Sequence, residues 1–185
     1  MSEIPSPAGW LPESRLPELT KDPLWQDWLL ERGSMTVRLQ GRYPDVLVEL
    51  QLQGQAVPWG DEARALGLPP GEAAWLRQVR LCSEGRVLLQ ARTVVPGWAP
   101  GNAWHELQGL GTRPLGDLLF RMPDIGRSAF EVAWLARWTE PGDGVTDPGR
   151  AEGARLARRC LYTRRGCPLL LTERLLLPGL DGPVG

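Results

Sequence analysis

The sequence predicts an α+β fold in which a single antiparallel β-sheet of five or six strands carries helices packed on one face. Three observations predict it. Several stretches alternate apolar and polar residues with period two, the pattern of half-buried strands. Between them lie segments with apolar residues at helical spacing and cap residues at their starts. No internal repeat and no second composition regime appears across the 185 residues, so one core is expected to serve the whole chain.

Residues 1–20, rich in Pro, Ser and Glu, read as a weakly ordered lead-in to a domain over 21–185. A helix then starts at Asp22, a good N-cap, with Pro23 in the first helical position and Gly33 to end it. Its apolar stripe is Leu24, Trp25, Trp28 and Leu29. Ser34 caps a second short turn that carries Met35. From Asp45 the period becomes two, with Val46, Val48, Leu50 and Leu52 on one side of a strand. Ala73 to Val95 reads as a hairpin turning at Ser83, Glu84 and Gly85. Pro96 to Gly101 breaks the pattern, and helical segments follow at Trp104 to Leu110 and from Pro114 through Phe120. Phe130 to Trp138 reads as a strand, and Leu156 to Leu177 as a last hairpin turning at Arg164, Arg165 and Gly166. Residues 139–153, dense in Gly, Pro and Asp, read as a flexible surface insertion.

The formal net charge is -1 and the pI about 5.9, so no global field favours nucleic acid or an anionic membrane. An anionic partner must be held locally. Cys82, Cys160 and Cys167 are an odd set without paired CxxC spacing, read as reduced thiols rather than a zinc site or a disulfide framework. The N-terminal residues lack a signal-peptide pattern and no apolar run is long enough to span a bilayer, so a cytoplasmic protein is expected. Its single histidine, His105, reads as structural. No glycine-rich phosphate loop, HExxH or Ser/His/Asp set is present. Most of the nine tryptophans read as core.

Alternation then exposes two charges on apolar rows. Trp75, Arg77, Val79 and Leu81 share a strand face, and so do Leu169, Leu171, Glu173, Leu175 and Leu177. A lone buried ion costs several kcal/mol or more, so Arg77 and Glu173 each need a partner. Two readings stay open: the pair bond each other across the sheet, or they line a pocket whose anionic ligand Arg77 grips while Glu173 accepts a hydrogen bond at the far end. Arg92, Arg158 and Arg159 read as ordinary strand charges.

Four blocks make the pattern specific: WLLERGSMT at Trp28 to Thr36, WLRQVRLC followed by ARTVVP from Trp75 to Pro96, LGTRPLGDLLF at Leu110 to Phe120, and PLLLTERLLLP at Pro168 to Pro178. In this order and spacing the chain resembles the chorismate pyruvate-lyases, which cleave chorismate into 4-hydroxybenzoate and pyruvate at the start of ubiquinone synthesis. The resemblance implies a cofactor-free, metal-free carbon–oxygen lyase of that fold, acting on a small-molecule substrate. A monomer is expected, since nothing in the sequence signals an exposed apolar seam. It implies that Met35, Arg77, Leu115 and Glu173 contact the aromatic product. Arg77 would fix the ring carboxylate, Arg92 would assist the enolpyruvyl carboxylate, and Glu173 would act as base or as an aligning acceptor for the C4 hydroxyl. The rival reading is a non-catalytic sensor of small aromatic acids with the same fold. Regulators of that kind carry a helix-turn-helix domain, for which the residues before Ser34 leave no room.

Overall fold

A computed structural model describes residues 9–135, 138 and 154–178. The chain runs β1 (Leu11–Pro12), a 3-10 turn at Glu13–Arg15, α1 (Leu16–Leu19), α2 (Pro23–Leu29), α3 (Met35–Arg42), β2 (Leu47–Ala56) and α4 (Gly60–Ala65). It continues through β3 (Ala74–Ser83), β4 (Arg86–Val95), a 3-10 helix at His105–Gly109, α5 (Leu115–Leu119), β5 (Ile125–Arg127), β6 (Glu131–Leu135), β7 (Arg155–Arg164) and β8 (Cys167–Leu175). Every strand pairing is antiparallel. The order is β1-β6-β7-β8-β4-β3-β2, with β5 also pairing β7.

The sheet thus has eight strands rather than five or six. The two that the periodicity misses, β1 and β5, are two and three residues long, too short for an alternation to register. The segment expected to be a weakly ordered lead-in carries regular structure from Leu11 onward: β1 pairs with β6, and Leu16 is 1% exposed in the main core. The insertion expected at 139–153 lies outside the described residues.

Local chemistry explains the elements that position the interior. Asp22 accepts from the Leu24 amide and starts α2, which ends at Leu29, four residues before the expected stop at Gly33. Trp25, Trp28 and Leu29 are buried as the stripe requires, whereas Leu24 faces solvent. Ser34 caps α3 by accepting from the Val37 amide. The β3–β4 turn puts Glu84 and Gly85 at φ 48° and 76°, and the β7–β8 turn puts Arg165 and Gly166 at 49° and 77°. Two successive left-handed residues match the twist of antiparallel strands and fix the pairing register. Strand β2 forms one edge of the sheet, and its Leu50 and Leu52, expected to be half-buried, lie near a register irregularity and remain exposed.

Most helices cover one face of the sheet, where the main core packs, but α4 does not. Ala65, Leu66 and Leu68 pack against Leu76, Val94 and Leu170 on the opposite face. That face also holds Arg92. Its cross-strand neighbours are Gln78 and Thr172, and its Nε donates to Glu62 at 2.7 Å while its Nη1 donates to Gln78. The guanidinium lies over Trp59 at 4.1 Å. Arg92 and Glu62 side chains are only 4% and 1% exposed. Burial pushes the Glu62 carboxyl up, and the Arg92 charge opposes that shift. Nearby Arg159 bonds Glu131 and lies over Trp10. Arg92 is therefore part of a charged layer behind the sheet, not a second anion grip beside Arg77: adjacent strands place Arg92 opposite Gln78, one residue out of phase with Arg77.

Removing one partner of a buried ion pair strands the other, at a cost of about 3–5 kcal/mol, while removing both charges is far milder. Arg92→Met is therefore expected to lower unfolding stability by about that amount. Arg92→Met combined with Glu62→Gln should recover part of the loss, read by denaturant titration of both variants.

Candidate functional site

On the helix-covered face the register draws two rows across the central strands. Val79, Ala91, Glu173 and Arg158 stand side by side on β3, β4, β8 and β7. Arg77, Thr93, Leu171 and Cys160 form the next row. Arg77 and Glu173 are thus two strands and one row apart, roughly 12 Å between Cα atoms from strand spacing and rise. The first turns of α3 and α5 roof this area. They meet tightly: a β-carbon on Gly116 would lie 2.7 Å from Ser34 Oγ.

Between sheet and roof lies a cavity of about 50 Å³. At 10–15 Å³ per water it has room for roughly four waters, the size of one small aromatic ring. Met35, Arg77, Leu115 and Glu173 all line it. Much of the remaining wall is apolar, from Val79, Leu81, Leu89, Ala91 and Leu171.

Arg77 sets the electrostatics. It is buried and donates through Nη2 to the carbonyls of Gly111 and Arg113 at 2.9 and 3.0 Å. Its Nε meets no acceptor, and it forms no ion pair with any described carboxylate. Burial pulls its pKa down to about 10, which leaves a cation at neutral pH. Of the two readings the periodicity left open, direct pairing of Arg77 with Glu173 is not what forms.

Glu173 instead accepts from Arg158 Nε at 2.7 Å. Arg158 is held in turn by the carbonyls of Leu29 and Glu31 and by the face of Phe130 at 4.5 Å. Its side chain was expected to be a solvated strand charge, yet it is buried and lines the cavity. The hairpin turn held the signal: with Arg165 and Gly166 as the two-residue loop, Arg158 must oppose Glu173. Tyr162, also in the wall, has its phenol pushed up to about 12 by burial and then by the Glu173 charge, so it stays neutral. Met35 and Leu115 occupy the first positions of α3 and α5, where intrahelical bonding leaves backbone N–H groups open.

Arg92 lies outside this cavity, as its position behind the sheet requires. His105 is also elsewhere, stacked on Trp98, which stacks on Trp75. The three cysteines are free thiols. No helix among the described residues is long and apolar enough to cross a membrane.

Comparison with known proteins gives this cavity a context. The solved structure of PhnF from Mycobacterium smegmatis aligns with a TM-score of 0.53 at 12% identity, covering 79% of this chain and 64% of that one. That likeness is of fold alone. The probable chorismate pyruvate-lyase of Aromatoleum aromaticum is 40% identical over 159 residues, covering 84% of this chain and 86% of the relative. The probable chorismate pyruvate-lyase of Thiobacillus denitrificans is 38% identical over 176 residues, covering 95% and 91%. The family model described as chorismate lyase matches residues 4–180, nearly end to end, and on that match the chain belongs to the chorismate lyase family.

Proposed function

We propose that this protein is a chorismate pyruvate-lyase that converts chorismate into 4-hydroxybenzoate and pyruvate, supplying the aromatic acid for ubiquinone synthesis. The observation that carries the reading is Arg77, a buried cation facing a ring-sized cavity with no carboxylate among the described residues to balance it. A charge in that position calls for an anionic ligand, and a planar acid of one ring suits both the volume and the apolar walls.

In this reading the ring carboxylate bonds the Arg77 guanidinium, whose place is fixed by the Gly111 and Arg113 carbonyls. The opposite end of the ring, carrying the C4 hydroxyl, meets Glu173. One Glu173 oxygen is engaged by Arg158, so the other is the acceptor for the hydroxyl. The Met35 side chain covers the ring, a soft thioether against a π face. The open amides of Met35 and Leu115 add donors from the roof.

The chemistry asks little beyond orientation. The C3–oxygen bond breaks with its electron pair going to the enolpyruvyl oxygen. The C4 hydrogen leaves as a proton, and its bonding pair completes the aromatic ring. The enolpyruvate takes up a proton at its methylene carbon to become pyruvate. The sum is redox-neutral and balances from chorismate alone, which is why we propose that no cofactor takes part. Aromatisation drives the step, and a largely buried cavity strengthens each polar contact that orients it.

Purified protein mixed with chorismate is expected to produce 4-hydroxybenzoate, followed by its ultraviolet absorbance, with an equal amount of pyruvate. Binding of the aromatic acid without turnover would instead mark a sensor. Arg77→Met is expected to weaken 4-hydroxybenzoate binding about 100-fold, as loss of one partner of a buried charged contact does, measured by calorimetry. Its unfolding stability should stay within about 1 kcal/mol of the parent, because the cation it removes has no ion-pair partner among the described residues. Glu173→Gln is expected to retain turnover to within about 100-fold, as an aligning acceptor would; a greater loss assigns Glu173 the proton transfer.

A further inference from the structure

Chorismate has two carboxylates, and Arg77 accounts for one. Among the described residues that line the cavity, the other cation is Arg158. Arg92 is excluded by its place behind the sheet, bonded to Glu62 and Gln78. We propose that Arg158 is the catalytic residue that receives the leaving enolpyruvate, donating from its free terminal nitrogen to that group's oxygens as the C3–oxygen bond breaks. The inference rests on the reading of the chain as a chorismate pyruvate-lyase and adds a residue to that site.

The order of strands carries the argument. Passing along β3, β4, β8 and β7, the wall presents Arg77, then Glu173, then Arg158. A ring with its carboxylate on Arg77 and its C4 hydroxyl on Glu173 points the neighbouring C3 substituent toward the next group in the row. On a six-membered ring that substituent is one carbon from C4, and Arg158 is one strand from Glu173.

The guanidinium is also prepared for the task. Nε is committed to Glu173 at 2.7 Å, and Nη1 to the carbonyls of Leu29 and Glu31 at 3.3 and 2.6 Å. Nη2 makes no hydrogen bond to a described residue. Three acceptors and the Phe130 face thus lock the plane of the group while one donor stays unused. A donor fixed before the reaction and aimed where negative charge develops stabilises the transition state without reorganising. Heterolysis puts an electron pair on the enolpyruvyl oxygen beside an existing carboxylate, and that is the charge which Arg158 would meet.

Arg158→Lys keeps a cation for Glu173 but lacks the planar fork, so it separates the two roles. Product lacks the enolpyruvyl group. The expected result is a fall of at least about 30-fold in kcat/KM for chorismate, with the Kd for 4-hydroxybenzoate within about threefold of the parent. Equal losses in both, or no loss in either, overturn the assignment. The unsubstituted protein supplies a second test that does not depend on folding of a variant. A benzoate bearing a 3-carboxyvinyloxy group should bind at least about tenfold more tightly than the same benzoate with methyl in place of the second carboxylate. Absence of that preference overturns the proposal whatever the variant does. Failure of the unsubstituted protein to release 4-hydroxybenzoate from chorismate would be failure of the underlying reading instead, so the two results are told apart.

Discussion

A guanidinium buried among apolar side chains, with carbonyl oxygens but no carboxylate of the described residues to answer it, is the constraint around which this molecule is arranged. Burial of an unbalanced charge opposes folding, and a small domain holds only about 5–15 kcal/mol in reserve. The rest of the wall is built accordingly. Apolar rows from β3, β4 and β8 supply the packing, and the loop between the 3-10 helix and α5 lends two carbonyls to Arg77. Glu173 is not spent on neutralising it, because Arg158 on the adjacent strand takes that carboxylate.

The sheet separates two charge systems. In front, Arg77, Arg158 and Glu173 face a small cavity under α3 and α5. Behind, Arg92 with Glu62 and Arg159 with Glu131 sit among Trp10 and Trp59, paired and stacked under α4. The same residue types serve opposite ends. Behind the sheet Arg92 and Arg159 find acids and the layer holds elements together; in front Arg77 meets no described acid.

Much of the architecture could be read in advance, and the failures have physical causes. The six longer strands announce themselves through alternation, and paired turn residues mark both hairpins at their true positions. Arg77 and Glu173 were recognisable as intruders on apolar rows. What alternation lacks is any statement about non-sequential neighbours: β4 pairs with β8, far away in the chain, and no local pattern reports that. Strands of two or three residues leave no period to detect. The charged layer behind the sheet went unseen because Glu62 lies on the short helix α4, which fell between two recognised strands. Arg158 is a different case, since counting out from the β7–β8 turn places it beside Glu173. The same count would set Arg92 opposite Arg77, and only a register shift between Leu81 and Cys82, which no local pattern announces, moves it to Gln78.

Strand β4 stands between the two charge systems. Ala91 and Thr93 look forward into the cavity rows, and Arg92 between them looks back to Glu62. Side chains alternate with period two, so inserting or deleting a single residue upstream in this strand would turn every later one over. A second guanidinium would then swing into the ring-sized space, and Glu62 would be orphaned behind it. Length changes should therefore be better tolerated in the connecting loops than in this one strand, whose parity keeps the cavity wall and the paired charges on their proper sides.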